Sequence, residues 1–411
     1  MKIMKKLPAQ PFFKNKRVLV RVDFNVEIKN NKVVDDFDIL RSMKTIRHVA
    51  GKSKYVLLIS HLGNPKEGEK LKSLAPVARY LSKLLRKKVS LVFGRPKDLK
   101  QSLSALPKGS VVMLENVRFY SGEYSRGGYV DSATFAKELA SLGDCYVNEA
   151  FGESHRKVSS ISAITKFLPS FAGFNFQDEL KHLDKLKTKS LKPFVLILGG
   201  AKLKTKLPLI KSFIKKADYI LFGGGIANTG LLSLGLGLGK SLAEPKQAKQ
   251  IKKYSQLRSV FLPVDFSVAT SRNSKFFKTK NSSVEKNEFI LDIGPETLKQ
   301  YREIVKKAGT IVWNGPMGYY ENPVFARGTK VVARAILANK KAFKVIGGGD
   351  TVAFFKNARI SNLKSQISNL FISTGGGAML EYLAGSPRRS LGRSAGKKLP
   401  GIVALEKSRK R

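Results

Sequence analysis

Short apolar runs alternate along the chain with segments whose apolar residues recur at helical spacing. The segments "KRVLVRVDFNVEI", "KYVLLIS" and "SVVMLENVRF" are nearly continuous apolar runs, whereas "SLAPVARYLSKLLRK" has the periodicity of an amphipathic helix. Strands that are apolar on both faces are typical of parallel sheets covered by helices on each side. The pattern therefore predicts the α/β class with parallel sheets.

The alternation is interrupted by the polar segment "FNFQDELKHLDKLKTKSLKP" and restarts at "FVLILGG". A chain of 411 residues suits two domains better than one core, so we place the boundary on a helix in this segment. The sequence then predicts two Rossmann-like, three-layer α/β/α lobes joined by a hinge helix. The predicted divisions are an N-terminal lobe over 1–172, a hinge over 173–192, a C-terminal lobe over 193–385, a basic flexible insert over 386–396, and a terminal segment over 397–411 that returns to the N-terminal lobe.

Glycines follow the apolar runs of the second half of the chain. They occur in "FVLILGGAKLK", "YILFGGGIANTG", "KVIGGGDTVAFF" and "LFISTGGGAMLEYL". One such cluster is also typical of a plain turn between a strand and a helix. The recurrence favours a phosphate site, because free N–H groups at helix starts bind anions. Asp350, directly after the glycines of the third segment, suits the metal ion that accompanies phosphates.

Polar and basic residues, rather than glycines, follow the strands predicted in the first half. Ligands of open α/β sheets bind beyond the carboxyl ends of the strands. We therefore expect one lobe to bind a nucleotide and the other to bind a small anion. The residues that point to the anion are Asp23, Asn25, His61, Arg118, His155 and Arg156.

The composition is that of a globular protein, with 42% hydrophobic and 26% charged residues. The 76 Lys and Arg residues against 30 Asp and Glu residues give a net charge of +46, which raises the possibility of nucleic-acid binding. The basic residues are spread along the chain, as in "LRKKVS" and "KQAKQIKKY", which is more typical of a solvated surface than of a groove. The charge still predicts salt-sensitive, non-specific binding to polyanions.

Several other classes of protein and site are disfavoured. The first strand is not followed by G-x-G-x-x-G, which argues against a nicotinamide cofactor, and "GLGLGKS" is one residue too short for a Walker loop and reads as an ordinary loop. Cys145 is the single cysteine, so a disulfide framework is excluded and we expect a buried strand residue. The chain lacks a signal-peptide pattern and an apolar run of membrane-spanning length, which predicts a cytoplasmic location.

A series of motifs resembles the phosphoglycerate kinase family. They are "RVDFNV", "SHLGNP", "LENVRFYSGE", "DCYVNEAFGESHR", "LGGAKLKTK", "FGGGIANT", "LPVD", "DIGPET", "WNGPMGYYE", "IGGGDT" and "STGGGAMLEYLAG". The resemblance covers roughly residues 16–385 and resumes at "KKLPGIVAL". It implies a monomeric kinase of glycolysis and gluconeogenesis that moves a phosphoryl group reversibly from 1,3-bisphosphoglycerate to ADP, giving 3-phosphoglycerate and ATP. It further implies Mg²⁺ dependence, one substrate on each lobe, and closure by hinge bending.

The resemblance also implies a role for each matching residue. Lys202 and Lys206 would face phosphates, on one helical face if a helix begins at the preceding glycines, and Asp350 would hold Mg²⁺. Glu321 would accept hydrogen bonds from ribose, and Thr351 would cap a helix and meet a phosphate. The phosphoglycerate site would comprise Asp23, Phe24, Asn25, His61, Leu62, Gly63, Asn64, Arg118 and Arg156. The nucleotide and transfer site would comprise Gly200, Lys202, Lys206, Gly223, Gly224, Asn314, Pro316, Glu321, Gly348, Gly349, Asp350, Thr351, Gly375, Gly376 and Gly377.

The sequence departs from the family pattern in the phosphoglycerate lobe. Asp38 and Asn64 stand where the family has arginines, and Val158 replaces a histidine. Arg41, three residues after Asp38, is a candidate compensating cation if both lie on one helix. The departures and the net charge leave an alternative, a degenerate member that binds nucleotide and polyanions without efficient catalysis. The insert over 386–396, with Arg388, Arg389 and Arg393, reads either as a flexible loop or as an arm for phosphates or nucleic acid.

Overall fold

The computed structural model describes residues 4–63, 70–125, 127–188, 190–357, 369–385 and 398–408. Asn64 and the insert predicted over 386–396 lie outside the described residues. Residues 1–181 and 397–411 form one compact unit, and residues 182–396 form a second. The C-terminal helix thus belongs to the same unit as the N-terminal half, and the division falls inside the polar helix chosen as the predicted boundary.

The strands are short and follow the apolar runs of the sequence. In chain order they are β1 (Arg17–Arg21), β2 (Ile28–Lys29), β3 (Lys32–Val33), β4 (Tyr55–Ile59), β5 (Val89–Val92), β6 (Ser110–Leu114), β7 (Tyr124–Ser125), β8 (Gly128–Tyr129), β9 (Cys145–Asn148), β10 (Ser170–Ala172), β11 (Phe194–Leu198), β12 (Tyr219–Phe222), β13 (Val260–Phe261), β14 (Phe266–Ala269), β15 (Lys278–Lys280), β16 (Phe289–Ile293), β17 (Thr310–Asn314), β18 (Phe343–Gly347) and β19 (Leu370–Ile372).

The helices connect the strands as the amphipathic segments predict. In chain order they are α1 (Phe37–Ala50), α2 (Ala75–Leu85), α3 (Lys100–Ser104), α4 (Ala133–Ala140), α5 (Phe174–Thr188), α6 (Leu207–Phe213), α7 (Gly224–Ser233), α8 (Pro245–Ser255), α9 (Pro295–Lys307), α10 (Arg327–Ala338), α11 (Gly349–Asn357), α12 (Gly376–Ala384) and α13 (Pro400–Lys407). Short 3-10 helices cover Gln10–Phe13, Pro96–Leu99, Val117–Phe119, Phe151–Glu153, Ala163–Lys166 and Pro323–Phe325.

The first unit is built on a six-stranded parallel sheet in the order β10-β9-β1-β4-β6-β5. Alternate residues of its central strands face opposite ways, as the pleat of a strand requires. Val18 and Val20 of β1 enter one hydrophobic cluster, whereas Leu19 enters the other. Both faces of the sheet are therefore covered, and this explains the continuous apolar runs of the sequence.

The second unit has a six-stranded parallel sheet in the order β13-β12-β11-β17-β18-β19 and a small antiparallel sheet in the order β15-β14-β16. Trp313 on β17 is fully buried in the core, and its indole N–H donates to the carbonyl oxygen of Gly315 at 2.8 Å. The predicted α/β class with parallel sheets is therefore confirmed in each unit.

Smaller predictions can also be compared with the structure. Cys145 lies buried in β9, and burial raises the pKa of its thiol to about 12, so the thiol is not reactive. The segment "GLGLGKS" lies in the loop between α7 and α8, as expected. Within the described ranges, every helix is too short or too polar to cross a membrane.

Candidate functional site

The carboxyl ends of the parallel strands in the first unit gather the polar residues singled out in the sequence. Asp23 and His61 lie just beyond the ends of β1 and β4. Arg118 lies in the 3-10 helix after β6, and Arg156 follows the 3-10 helix after β9. Since β1 pairs in parallel with β4 and β9, and β4 with β6, these strand ends share one edge of the sheet.

Glu153 lies between three of these side chains. Its Oε1 accepts a hydrogen bond from Nη1 of Arg156 and lies 3.7 Å from Nε2 of His61, while its Oε2 lies 3.7 Å from Nη2 of Arg118. His61, Arg118 and Glu153 are buried, and Arg156 is about one-fifth exposed, with 21% side-chain accessibility. One carboxylate therefore neutralises part of a buried group of cations.

Arg21, the last residue of β1, adds another guanidinium to the group. Its Nη2 lies 3.3 Å from Nδ1 of His61, and its Nε donates to Oγ of Ser160 at 2.9 Å. The side chain is buried, so its charge acts on these neighbours with little screening by water. We call the whole group the guanidinium cluster: Arg21, Asp23, His61, Arg118, Glu153 and Arg156.

The electrostatics of the guanidinium cluster favour an anion over a metal ion. Asp23, His61 and Glu153 each bring a potential ligand atom within 4.8 Å of the others, which by itself suits a metal. Burial, reinforced by nearby arginines, lowers the pKa of His61 well below its ordinary value. Burial disfavours the Glu153 carboxylate, yet the positive groups around it hold its pKa below the ordinary value. Burial raises the pKa of Asp23 to about 6 and that of the adjacent Glu123, which accepts from Ser160, to about 7. Near neutral pH the three guanidiniums therefore outweigh the ionised carboxylates, and the remaining positive charge attracts small anions.

The other residues predicted for this site divide into polar contacts and core. Oδ1 of Asn25 accepts from the N–H of Gly63 at 2.8 Å, and Arg118 donates to the carbonyl oxygen of Gly63. The side chains of Phe24 and Leu62 are buried in the hydrophobic core. The structure therefore places Asn25 and Gly63 beside the cluster, whereas Phe24 and Leu62 have only backbone groups to offer a ligand.

Val158, interpreted in the sequence as a departure from a family histidine, has a packing role in the structure. It is 2% exposed and forms a small apolar cluster with Ala150 and Ile161. This position consequently stabilises the turn that carries Arg156 by burial of apolar surface, and it contributes no titratable group.

Arg41 lies one turn after Asp38 on α1, and the structure places its side chain against α5. Its Nε donates to Oδ1 of Asn175 at 2.9 Å, and its Nη2 lies 3.9 Å from Oδ2 of Asp178. These contacts tie α1 to the start of α5. The idea that Arg41 replaces the cation lost at Asp38 stays a prediction.

The second unit contains a cavity of about 220 Å³ at the carboxyl ends of its strands. Its lining includes Gly200, Gly224, Pro316 and two carboxylates, Glu321 and Asp350. These residues follow β11, β12, β17 and β18, which are neighbours in the parallel sheet. The structure thus brings five members of the predicted nucleotide site to one cavity.

Close backbone packing at these strand ends explains two of the glycines. Gly315 has a φ of 94°, and a Cβ there would lie 2.2 Å from the carbonyl oxygen of Gly199. Gly348 has a φ of 95°, and a Cβ there would lie 2.8 Å from Nδ2 of Asn314. Any larger residue would combine a strained backbone with a collision. Glycine is therefore required for the loops after β11, β17 and β18 to meet.

Thr351 has a different partner from the one expected. The sequence suggested that it caps the helix after the glycines, but α11 begins at Gly349, so Thr351 already lies inside the helix. Its buried Oγ1 accepts from the N–H of Gly315 at 2.6 Å. The hydroxyl therefore joins the loop after β17 to α11, and its contact with a phosphate stays a prediction.

The helical face predicted for Lys202 and Lys206 is wrong. The helix α6 begins only at Leu207, with Lys206 at its N-cap, because Pro208 suits the first turn of a helix and Gly200 has a φ of 80°. Lys202 is exposed, whereas Lys206 is buried. A Cβ on Gly200 would lie 3.6 Å from Nζ of Lys206. Burial lowers the pKa of Lys206, although Asp350 opposes the shift. Of the two lysines, Lys206 is thus the one held near the cavity.

Asp292 on β16 is buried beside the loop that carries Glu321, where a Cβ on Gly318 would lie 2.3 Å from its Oδ1. Its Oδ2 accepts from the N–H of Gly328 at 2.6 Å, and its Oδ1 accepts from the N–H of Ile293 at 2.9 Å. In the loop itself, Tyr319 donates its N–H to the carbonyl oxygen of Leu291 at 2.7 Å. Burial raises the pKa of Asp292 to about 7. Asp292 therefore joins β16 to the start of α10, and the loop is held to β16 through the backbone of Leu291.

The glycines after β19 form the start of a helix. Gly375 is the N-cap of α12, which begins at Gly376, and the Gly375 N–H donates to Oγ of Ser373 at 2.9 Å. The first N–H groups of a helix have no partner within it and carry the positive end of its dipole. Gly376 and Gly377 thus provide backbone donors after β19, and their contact with a phosphoryl group stays a prediction.

Three buried charged residues were missing from the predicted site. Arg21 stands inside the apolar run "RVLVRVDF", and this break in the hydrophobic pattern was a signal that could have identified it. Glu153 and Asp292 lie in quoted motifs, but single acids in such motifs do not reveal which partners they meet. Only the three-dimensional packing shows that Glu153 joins Arg118, Arg156 and His61 and that Asp292 accepts backbone N–H groups.

Comparison with known proteins finds relatives that match nearly the whole chain. The family model described as phosphoglycerate kinase matches residues 9–386. A phosphoglycerate kinase of Dictyoglomus turgidum is 39% identical over 404 residues, which span 96% of each protein. One of Pelotomaculum thermopropionicum is 40% identical over 401 residues, covering 95% of this chain and 96% of the relative.

Two solved structures of phosphoglycerate kinases are also similar to this chain. The structure of phosphoglycerate kinase from Coxiella burnetii has a TM-score of 0.76 and 36% identity, and covers 96% of this chain and 97% of that one. The phosphoglycerate kinase structure from Pyrococcus horikoshii has a TM-score of 0.82 and 30% identity, and covers 99% of this chain and 100% of that one.

Proposed function

The chain belongs to the phosphoglycerate kinase family, and we propose that it transfers a phosphoryl group reversibly from 1,3-bisphosphoglycerate to ADP, giving 3-phosphoglycerate and ATP. The observation that carries this proposal is the presence of two complementary sites at strand ends. One unit has a guanidinium cluster suited to a small anion, and the other has a glycine-built cavity with two carboxylates. Each of these sites suits one of the two substrates.

We assign the phosphoglycerate to the guanidinium cluster. Arg118 and Arg156 are the main ligands, because a guanidinium presents a fork of donors that matches phosphate and carboxylate oxygens. Both are fixed before any ligand arrives, Arg118 by Gly63 and Arg156 by Glu153. A preorganised cation loses little conformational entropy on binding, and this supports a specific site rather than general attraction.

We assign the nucleotide to the cavity of the second unit. The first N–H groups of α11, whose first turn lines the cavity, suit phosphate oxygens, and Glu321 is an exposed acceptor suited to ribose hydroxyls. Asp350 is exposed in the cavity lining at the first turn of α11, so its oxygens can serve a metal that keeps several of its waters. When bound, Mg²⁺ neutralises negative charge on the phosphates.

The residues of the chain act in transfer by position and charge. Phosphoryl transfer passes through a state in which charge spreads over the moving group, so donors and cations fixed in advance lower its energy. Lys206 near Gly200 and the N–H groups at the start of α12 are the proposed donors of the second unit. No side-chain nucleophile is required, because one substrate attacks the other directly.

Finer features remain proposals that rest on the family and on the sequence pattern. They are dependence on Mg²⁺, action as a monomer, a cytoplasmic location, a hinge over 173–192, and non-specific binding of polyanions through the net charge of +46.

A coupled assay with 3-phosphoglycerate and MgATP tests the proposed function. We expect saturable ADP formation that depends on both substrates and stops when Mg²⁺ is chelated. Measurement of MgADP binding by calorimetry on the same preparation provides the control. Nucleotide binding without turnover would contradict the proposal and support the degenerate alternative.

A further inference from the structure

Glu153 occupies the space between cations in which a bound anion would be expected. Its two oxygens lie within ion-pairing distance of Arg156, His61 and Arg118, and its side chain is 8% exposed. The carboxylate therefore lies inside the guanidinium cluster rather than at its edge. It takes up the same donors that an incoming phosphate or carboxylate would use.

A buried group of cations needs such a partner when no ligand is bound. Isolated charges are costly to bury, and three guanidiniums close together also repel one another. The backbone and hydroxyl contacts of Arg21 and Arg118 satisfy some of their donors but supply no negative charge. Of the two carboxyls in the cluster, Glu153 is the one that forms ion pairs with the arginines among the described residues, and its shortest contact is with Arg156.

From this geometry we propose that Glu153 is an internal counter-ion that an incoming anion must displace, so that it sets the affinity of the guanidinium cluster for phosphoglycerate-type anions. The inference rests on the proposed function and deepens it by identifying a residue that weakens substrate binding. Glu153 keeps the arginines ordered without ligand, and its like charge lowers the affinity for the ligand. Removal of the charge should therefore strengthen anion binding, whereas removal of an ordinary structural residue should weaken it.

The test is calorimetric titration of 3-phosphoglycerate and of inorganic phosphate into wild type, Glu153→Gln and the control Asp98→Asn. Asp98 is an exposed acid of the same unit, so its variant reports any general effect of one lost negative charge. We expect Glu153→Gln to bind both anions at least about tenfold more tightly, since one like charge within a few ångströms is removed from a weakly screened site. Asp98→Asn should match the wild type. Equal or weaker binding by folded Glu153→Gln would overturn the proposal.

A second variant keeps the test decisive if Glu153→Gln does not fold. Glu153→Asp retains the charge but withdraws the carboxylate by one methylene, so we expect a folded protein with anion affinity between those of wild type and Glu153→Gln. An affinity that is unchanged or lower in this variant would also overturn the proposal.

Inorganic phosphate separates this inference from the proposed function. If the wild type has no kinase turnover but Glu153→Gln binds inorganic phosphate more tightly, the function fails and the counter-ion inference stands. If the wild type turns over 3-phosphoglycerate and neither Glu153 variant binds anions more tightly, the counter-ion inference fails and the function stands.

Discussion

The candidate site of the first unit is made of side chains, whereas that of the second is made largely of backbone. In the guanidinium cluster, Arg21, Arg118 and Arg156 supply the positive charge, and Glu153 balances part of it. In the second unit, the N–H groups of Gly200 and Gly224 already donate within the protein, and the donors that suit a ligand are the first N–H groups of α11 and α12, which need no counter-ion. A substitution other than to proline leaves the backbone donor in place, whereas any neutral substitution removes a charged side chain.

The largest effect is expected at the carboxylate of the backbone-built site. Asp350→Ala should lower kcat by about a thousandfold, because it removes the proposed metal ligand from the group in transfer. The fold should survive, since Asp350 is exposed. The measurements are kcat, the melting temperature, and the dependence of ADP affinity on Mg²⁺.

The matched control is Glu303→Ala, an exposed acid on α9 of the same unit. It should leave all three quantities unchanged. Near-normal turnover of Asp350→Ala at saturating Mg²⁺ would remove the metal role from this residue.

The second largest effect is expected at Arg41, in the unit built on side chains. If Arg41 replaces the cation lost at Asp38, Arg41→Ala should lower kcat at least about a hundredfold, because a cation near the transferring group stabilises its charge. Arg47→Ala, an exposed arginine on the same helix, is the control and should be silent. A lower melting temperature with unchanged kcat would show instead that Arg41 only holds Asn175 and Asp178.

An intermediate effect is expected at Lys206, a side-chain charge within the backbone-built site. Lys206→Ala should lower kcat about tenfold to a hundredfold, with less change in nucleotide affinity, because the charge it meets is greatest in the transition state. Steady-state kinetics with varied MgATP separates the two quantities. The control is Lys204→Ala, which removes an exposed lysine two residues away. An effect confined to the KM for ATP would contradict this role.

The smallest effect is expected at Asp292, which joins β16 to the start of α10 in the second unit. Its pKa is raised to about 7 in the fold by burial, so between about pH 4 and 7 the folded protein binds more protons than the unfolded chain. The contribution of Asp292 to the free energy of unfolding therefore falls as pH rises through this window. The melting temperature of Asp292→Asn relative to wild type should rise from pH 4.5 to pH 7. A constant difference would show that Asp292 does not titrate in this range.

The sequence allowed most of the fold to be predicted, because strands buried on both faces leave unmistakable apolar runs. The positions where the strands that carry the sites end could be predicted from the same pattern. Glycines or polar residues follow the last residues of β1, β4, β11, β12 and β18. The helix start after Gly200 was predicted too early, because periodicity does not show that Leu203 is buried before α6 begins. Glu153 was overlooked because its significance depends on three partners that are distant in the sequence.

The assignment of one substrate to each unit is tested most directly by calorimetric titration of Arg118→Ala with 3-phosphoglycerate and with MgADP. Arg118 is buried in the guanidinium cluster of the first unit, and it takes no part in the cavity of the second. We predict that 3-phosphoglycerate binding weakens at least about tenfold, in keeping with loss of a charged hydrogen-bond donor, while the Kd for MgADP stays at the wild-type value. Unchanged 3-phosphoglycerate binding in the folded variant would contradict the assignment of the phosphoglycerate to the guanidinium cluster.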